Sequence, residues 1–296
     1  MIFWLIQLLL PLALLLWLAL LPARHMLGRI FQSAGTAALL LALHLAGLWI
    51  ILPWWTPWIY WGLFLLALWR GWRIRNWSSI AAADCALIIF WAGMVGLGGW
   101  VLGQALEART PPPGEIATLA IPLSAGRYYV ANGGSRDILS SHLRTLPRAT
   151  IGQRNYWGQS YGVDITVINR WGVMASDTTM VLAPCAGRIV RAHDGEADGS
   201  PVDLASSTAR AGNYALIRCG QFDILLAHFR KGSLRVVAGD AVSAGQPIGA
   251  LGSSGASDMP HLHIHAQRPG TAAAPFSGKP VPLHIDGRYL IRGDRQ

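Results

Sequence analysis

The hydrophobic and polar positions divide the 296-residue chain into two unlike halves. Residues 1–106 are almost continuously apolar, and they contain only six charged side chains: Arg24, Arg29, Arg70, Arg73, Arg75 and Asp84. From residue 107 onwards, apolar residues come in short runs separated by glycine, aspartate and other polar residues. This pattern predicts a transmembrane helical domain over residues 1–106, a proline-rich linker over 107–118 and a second domain over 119–296.

Four stretches of the first half are apolar enough to be interpreted as transmembrane helices. They are residues 2–21, 34–52, 54–69 and 80–106. A helix rises 1.5 Å per residue and needs about 20 residues to cross a hydrocarbon core of about 30 Å, so the third stretch is the shortest candidate. Gly96, Gly98 and Gly99 in the last stretch permit close helix packing. The sequence therefore predicts a bundle of about four transmembrane α-helices.

The charged residues between these stretches predict an orientation. The loops after the first and third stretches contain all five arginines of this half: Arg24, Arg29, Arg70, Arg73 and Arg75. The turn at residues 53–57 has no charge. Basic residues concentrate in cytoplasmic loops. Four spans then put both ends of the chain outside the cytoplasm, which predicts a multi-pass protein of the cytoplasmic membrane with an extracytoplasmic C-terminal domain.

The second half has the pattern of an all-β domain. The linker contains Pro111-Pro112-Pro113-Gly114, which favours a stiff, extended spacer. Short runs of β-forming residues between turn signals are typical of an antiparallel sheet or sandwich. The predicted strands are residues 128–130, 161–168, 187–192, 214–217, 224–228, 234–237 and 261–265.

The last of these runs has the most distinctive chemistry. It contains His261, His263 and His265, and alternation along a strand puts all three on one face. Imidazoles on a rigid face can supply a metal ligand and a neighbouring proton acceptor. The glycine- and serine-rich segment 252–255 just before them leaves room for a ligand. A histidine-rich polar strand face without function is the alternative interpretation.

An ordered set of short motifs in this half is more specific than any one of them. In chain order the motifs cover residues 183–190, 212–214, 225–229, 231–233, 236–240, 244–249, 252–255 and 260–263. Over roughly residues 161–267 the set resembles the lysostaphin-like zinc metallopeptidases, which cut peptide cross-links of bacterial cell walls. One hairpin also resembles a lipoyl or biotinyl carrier, but it lacks the lysine that carriers modify, since Lys231 and Lys279 are the only lysines.

The resemblance implies a zinc site. In the family, zinc is held by a histidine, an aspartate four residues later and the second histidine of His-x-His, and here Asp164 and His263 match the last two. His261 matches the catalytic histidine that handles the nucleophilic water. His228 matches the second catalytic histidine, which orients the water or stabilises the oxyanion. The implied reaction is hydrolysis of a peptide bond by zinc-activated water.

One ligand departs from the family pattern. Ser160 stands four residues before Asp164, where the family has histidine, and serine is a poor zinc ligand. Either the site is inactive or another side chain completes it. His142 is the nearest upstream histidine, and its surroundings resemble a variant branch of the family in which an earlier histidine takes the vacant place. His265, on the same face as His263, is the other candidate.

The sequence is compatible with three functions. The first is a zinc endopeptidase anchored in the bacterial inner membrane, facing the periplasm and cutting peptidoglycan or a related envelope peptide. The second is a catalytically inactive, peptidase-like scaffold that binds the wall or activates another hydrolase, which Ser160 favours. The third is a membrane component whose outer domain only docks, although the helices have almost no charge for an ion or solute pathway. The retained histidines 228, 261 and 263 favour the enzyme.

The net charge and the cysteines limit the kinds of partner that the chain is expected to have. The formal net charge is +9, but five of the basic residues lie between the helices, so the second half is only mildly basic and suits an anionic envelope polymer or lipid surface. No arginine-rich helix or stacking motif indicates nucleic acid. Cys185 and Cys219 both lie in this half and can pair in an oxidising compartment. The expected partners are the envelope peptide, the lipid bilayer and other membrane proteins.

Overall fold

The computed structural model describes residues 2–74, 79–124, 126–146, 154–175, 179–199, 206–271 and 274–295. The chain divides into two compact units, Met1–Leu106 and Glu107–Gln296. Arg75, one of the arginines used to predict orientation, lies outside the described residues.

The first unit is helical. A continuous stretch comprises α1 (Ile2–Trp4), a π-helical segment (Leu5–Leu9) and α2 (Leu10–Leu20), and α3 (Met26–Ala46), α4 (Thr56–Arg73) and α5 (Ala82–Glu107) follow. Arg29 is 1% exposed and donates hydrogen bonds to the carbonyls of Ala23, Gly71 and Ile74, so it ties the start of α3 to the end of α4. Of the three glycines predicted to permit close packing, Gly98 does so. A Cβ there would lie 2.5 Å from Ala38, whereas one at Gly96 or Gly99 would meet open space.

Only two of the described helices are long and apolar enough to cross a membrane, so the prediction of about four transmembrane helices is wrong. They are Met26–Ala46 and Asp84–Glu107. The first helical stretch offers the apolar segment Leu5–Leu20, which at 1.5 Å per residue spans about 24 Å and falls short of a hydrocarbon core of about 30 Å. Helix α4 has 18 residues, but Arg70 and Arg73 in its last turn and its many tryptophans shorten its apolar part.

The second unit contains twelve strands among the residues that the structure describes. They are β1 (Ala117–Leu119), β2 (Arg127–Asn132), β3 (Val163–Ile168), β4 (Met180–Leu182), β5 (Gly187–His193), β6 (Asn213–Cys219), β7 (Phe222–Phe229), β8 (Ala241–Val242), β9 (Pro247–Ala250), β10 (Leu262–Gln267), β11 (Pro280–Val281) and β12 (Leu283–Ile285). The short helix α6 (Ser207–Ala211) and two 3₁₀ helices, Ser141–Thr145 and Arg154–Tyr161, interrupt them.

Eight of these described strands form one antiparallel sheet in the order β2-β3-β10-β7-β6-β5-β8, with β11 also paired to β10. Two small sheets, β1-β12 and β4-β9, complete the unit. The predicted antiparallel β domain is confirmed. Residues of β1, β4, β9 and β12 join one face of the large sheet in a single hydrophobic core.

Alternation along β10 separates this core from a polar face. The core residues of β10 are Leu262, Ile264 and Ala266. His263, His265 and Gln267 alternate with them, so they point to the opposite face of the sheet. Both sets are buried, because Phe276 and its neighbours cover the second face.

Three details of the strand prediction differ from the structure. Residues 234–237 are not a strand: the Leu234 N–H bonds to the Asp194 carboxylate, and Arg235 makes a single backbone bond, to the Ile248 carbonyl of β9. Tyr161 ends a 3₁₀ helix instead of starting β3. His261 precedes β10. Cys185 and Cys219 form a disulfide that links the start of β5 to the end of β6.

Candidate metal centre

The strand register brings the predicted site residues together. On β10, His263 lies opposite Asp164 of β3 on one side and Ala227 of β7 on the other. Asn132 of β2 lies opposite Asp164 on its far side. These polar side chains therefore form one row across the sheet, on the face opposite the hydrophobic core.

His142, Asp164 and His263 each direct one donor atom at a common point. The distance is 3.3 Å between His142 Nε2 and Asp164 Oδ2, and 2.9 Å between His263 Nδ1 and Asp164 Oδ1. All three donor atoms lie within 4.8 Å of one another. Bonds of about 2.0–2.1 Å in tetrahedral geometry place zinc donors about 3.4 Å apart, so this set fits zinc.

His142 reaches the cluster from the 3₁₀ helix Ser141–Thr145. Its Nδ1 lies 3.2 Å from the Gly162 carbonyl, which can only accept, so the neutral ring carries its proton on Nδ1 and has its lone pair on Nε2, where a metal can bind. Thr145 Oγ1 donates to the His142 carbonyl at 2.7 Å and contacts Ser160 Oγ at 2.7 Å.

Ser160, at the position where the resemblance predicts a histidine ligand, makes hydrogen bonds within the fold. It is fully buried, and its hydroxyl donates to the Trp157 carbonyl at 2.7 Å. Through Thr145 it holds the segment that bears His142. Gly162 leaves space for two imidazoles, since a Cβ there would lie 2.7 Å from His263 Cε1 and 3.3 Å from His142 Nδ1.

Asp164 is a buried carboxylate surrounded by donors. Asn132 Nδ2 donates to Asp164 Oδ2 at 2.7 Å, and the Asn132 oxygen accepts from Arg292 and from the Ser141 backbone. Burial raises the pKa of Asp164, but the imidazoles of His142, His261 and His263 outweigh burial and hold this pKa well below its usual range. A buried, ionised carboxylate requires such donors or a cation.

The same carboxylate acts on His142. Burial lowers the pKa of His142, but the charge and hydrogen bond of Asp164 outweigh burial and raise this pKa above its ordinary value. His263 behaves oppositely: burial lowers its pKa to about 4 although Asp164 opposes the shift. At neutral pH the His263 ring is therefore uncharged, which a metal ligand must be.

His228 lies on a bulge of β7. Asn213 and Tyr214 of β6 pair with Phe229 and Ala227, which leaves His228 as the extra residue, with φ of 70°. Its Nδ1 donates to the Ser254 carbonyl at 2.8 Å, so the glycine- and serine-rich segment 252–255 fixes this ring. Burial lowers the pKa of His228 well below its usual range, with His261 and His263 adding to the effect.

His261 lies beside the cluster and is more exposed than His263. Its Nδ1 donates to the Met259 carbonyl at 2.9 Å, and its Nε2 lies 3.7 Å from Asp164 Oδ1. Its ring centroid is 4.7 Å from that of His228. Two imidazoles with lone pairs on Nε2 thus flank the donor set.

His265, the alternative third ligand, lies deeper than the cluster. It is fully buried, its Nδ1 is 2.9 Å from His263 Nε2, and it stacks on Phe276 with ring centroids 5.3 Å apart. Among the described residues, the group of donors close enough to share one ion contains His142 and not His265. The roles of the five predicted residues stay predictions, but all five lie at one place.

Sequence reasoning missed the residues that support the cluster. Thr145 and Arg292 lie in no motif, and Asn132 belongs to the short run Asn132-Gly133-Gly134 upstream of His142. Arg292 donates to the carbonyls of Ala131 and Ile138 as well as to Asn132, so the C-terminal segment braces the loop before His142. The role of Arg292, a half-buried arginine, can be interpreted only when the fold brings it to this loop.

Comparisons with known proteins find one matching family model and several similar solved structures. Residues 160–275 match the model of Peptidase family M23, and no curated protein sequence matches the chain. The catalytic domain of the antimicrobial peptidase lysostaphin from Staphylococcus simulans is 27% identical over 39% of this chain and 71% of that one, with a TM-score of 0.28. A zinc-containing peptidase from Vibrio cholerae is 21% identical over 36% of this chain and 26% of that one, with a TM-score of 0.26. A catalytic-domain mutant of the prophage-encoded M23 protein EnpA from Enterococcus faecalis is 22% identical over 38% and 71%, with a TM-score of 0.28.

Proposed function

Because the second unit of this chain contains a peptidase M23 domain of the lysostaphin-like family, we propose that it is a zinc-dependent endopeptidase. Its substrate is a peptide bond in peptidoglycan or a related peptide of the bacterial envelope. The observation that carries this proposal is the convergence of three metal donors with two further imidazoles on one face of the sheet.

His142, Asp164 and His263 would hold the zinc. Two neutral imidazoles and one carboxylate form a donor set that zinc prefers, and three protein ligands leave one coordination position open. Zinc supplies Lewis-acid chemistry, which makes water nucleophilic near neutral pH and polarises a carbonyl. The chain's part is to fix the donors, which it does through the β3-β10 ladder and the bonds of Thr145 and Asn132.

His261 and His228 are the proton-handling groups in this proposal. Each donates Nδ1–H to a backbone carbonyl, so each presents an Nε2 lone pair that accepts a proton from water or, once protonated, gives it to the leaving amine. His261 is the nearer of the two to Asp164, which supports its assignment as the base. The lowered pKa of His228 keeps that ring neutral at pH 7.

We place the domain outside the cytoplasm, in the periplasm of a cell whose inner membrane anchors the chain. The two candidate spans, Met26–Ala46 and Asp84–Glu107, support anchoring. Arg70, Arg73 and Arg75 precede the second span, which by the positive-inside tendency leaves the following domain on the outer side. The disulfide between Cys185 and Cys219 supports the same location, because disulfides persist in oxidising compartments.

The surface charge of the domain suits its proposed substrate. Residues 107–296 contain 19 basic and 14 acidic side chains. A mildly positive surface attracts an anionic wall polymer over distances of about a Debye length, roughly 8–10 Å at physiological salt. Side chains such as Ile89 and Trp100 on α5 are exposed within the helical unit, which suits contact with lipid or with other membrane proteins.

The proposal is tested by incubating the full chain in detergent, loaded with zinc, with purified peptidoglycan. Mass spectrometry of the soluble products should reveal newly freed peptide amino groups. His261→Ala should release none while still binding zinc, and His193→Ala, which changes a histidine on the far strand β5, should cut like the native chain. A native chain that binds one zinc and leaves the wall intact would contradict the peptidase and favour the scaffold.

A further inference from the structure

A buried line of three side chains leads away from the proposed metal centre along β10. His263, His265 and Gln267 are 2%, 0% and 1% exposed. His263 Nε2 lies 2.9 Å from His265 Nδ1, and His265 Nε2 lies 3.4 Å from Gln267 Oε1. With the 2.9 Å contact between Asp164 Oδ1 and His263 Nδ1, they make three consecutive links.

The far end of this line is fixed in orientation. Gln267 Oε1 accepts from the Gly278 backbone N–H at 3.1 Å, and Gln267 Nε2 donates to the Pro275 carbonyl at 3.0 Å. Rotating the amide by half a turn would lose both bonds. A side chain at Gly158 would collide with Oε1, so the backbone leaves space for this one arrangement. Gln267 therefore offers His265 an oxygen acceptor and never a donor.

The protons on this line can be counted. Asp164 and Gln267 Oε1, at its two ends, are both acceptors, and each neutral imidazole brings one N–H. Burial disfavours charged rings, so two protons must serve three links. One link is left without a proton, and its two facing atoms are both acceptors.

Two arrangements of the protons are possible. Without a metal, the carboxylate is the strongest acceptor, so both rings carry the proton on Nδ1 and the unprotonated link falls between His265 and Gln267, the longest contact at 3.4 Å. With a cation between Asp164 and His263, that link needs no proton. Both rings then carry the proton on Nε2, and Gln267 accepts from His265.

We propose that His265 and Gln267 are positioning residues for the metal, and that metal binding shifts the tautomers of His263 and His265 together, towards Gln267. This inference rests on the metal centre proposed above. Each ring loses its Nδ1–H and gains an Nε2–H, so the number of protons on the line is unchanged. Gln267 matters only in the metal-bound arrangement, where it receives the last N–H and holds His263 Nδ1 free as a ligand.

The test is a zinc titration of the full chain in detergent, with ¹⁵N-labelled histidine rings observed by NMR. The His265 ring should change from the Nδ1–H to the Nε2–H pattern as zinc is added, while the ring of the distant His193 stays unchanged. Gln267→Leu should bind zinc about 10–100-fold more weakly, the usual cost of losing an outer partner of a ligand. Gln267→Glu keeps an acceptor towards His265 but loses the donor to the Pro275 carbonyl, so it should bind zinc more tightly than Gln267→Leu and more weakly than the native chain.

A matched control separates positioning from packing. Ile264→Val changes a buried residue of the same strand on the opposite face, so it should lower stability and leave zinc affinity unchanged. If Gln267→Leu does not fold, the zinc titration of the native chain still shows whether the tautomer of His265 shifts.

Three results would overturn the inference. In the first, zinc binds while His265 keeps its Nδ1–H, or a folded Gln267→Leu binds zinc as tightly as the native chain; the metal centre would then stand without the tautomer shift or without Gln267 as a positioning residue. In the second, His265 itself becomes a ligand. In the third, the native chain binds no zinc, which would also remove the proposed function and so is distinguishable from the first.

Discussion

The two kinds of ligand in the proposed centre are held by different means. Asp164 and His263 lie on adjacent strands, where the backbone ladder sets their separation. His142 lies on a 3₁₀ helix, outside the residues that match the family model, and side-chain bonds from Thr145 and the Gly162 carbonyl hold it. A ligand on a strand is tied to one sequence position, because the strand register sets where its side chain lies. A ligand on a loop can come from a different sequence position, provided that its imidazole reaches the same point.

The supports of the two kinds of ligand differ in the same way. His263 is backed by His265 and Gln267 on its own strand. Asp164 and the His142 loop are braced by Asn132 and Arg292, which come from opposite ends of the domain. The support of His263 is thus local in sequence, whereas the supports of Asp164 and of the His142 loop depend on the complete fold.

The largest expected effect on zinc affinity comes from removing His263, one of the two ligands on strands. His263→Ala should lower zinc affinity by more than the about 10–100-fold cost of losing an outer partner, because it removes a ligand and exposes Asp164 to an empty pocket. Competition with a chromogenic chelator measures the change. His193→Ala should bind zinc like the native chain, and equal affinities for both variants would exclude His263 as a ligand.

The next effect tests whether the loop ligand replaces the family's missing histidine. His142→Ala should weaken zinc binding by at least about 10–100-fold. Adding Ser160→His should restore much of the affinity, since it returns an imidazole to the family position while the vacated His142 pocket gives it room. Unchanged affinity in His142→Ala would discard the loop ligand altogether.

A smaller effect is expected from the tether of the loop. Thr145→Val removes a hydroxyl that bonds to the His142 carbonyl and contacts Ser160. One hydrogen bond contributes about 1 kcal/mol, so zinc affinity should fall about five-fold. Thr145→Ser keeps the hydroxyl and should bind within two-fold of the native chain, which is a change of about 0.4 kcal/mol. A Thr145→Val affinity equal to that of Thr145→Ser would mean that packing alone places His142.

The pH dependence of stability, measured without metal, compares the buried histidines of the strands with His142. Burial lowers the pKa of His228, His263 and His265, so below about pH 6.5 the unfolded chain binds protons that the folded chain does not. Stability should fall as the pH drops from about 7 towards about 4. The raised pKa of His142 acts in the opposite direction, one group against three. Denaturant unfolding with chelator present measures this slope, and rising stability towards pH 5 would contradict it.

Much of the part of the centre that lies on strands, Asp164 and His263, was predictable from the sequence. Alternation in 261–265 put the histidines on one face, and the family resemblance pointed to Asp164 and His263 as ligands. The antiparallel sheet followed from short runs between turn signals. The bulge at His228 was not predictable, because it depends on the register of β6 against β7.

The position of His142, the ligand outside the strands, was predictable only in outline. His142 is the nearest upstream histidine and its surroundings resemble a family variant, but nothing local in the sequence places its ring beside Asp164. That contact depends on Ser160, Thr145 and Gly162, which act across 15 to 20 positions of sequence. The number of membrane spans was overestimated for a related reason. Apolar composition was evident, but the ends of the helices, which set their length, were not.

The most direct test of the central claim is an anomalous difference map at the zinc edge from crystals of the zinc-loaded chain. One peak is expected, about 2.0–2.2 Å from His142 Nε2, a carboxylate oxygen of Asp164 and His263 Nδ1. A peak between His263 and His265, or no peak near Asp164, would contradict the proposed centre.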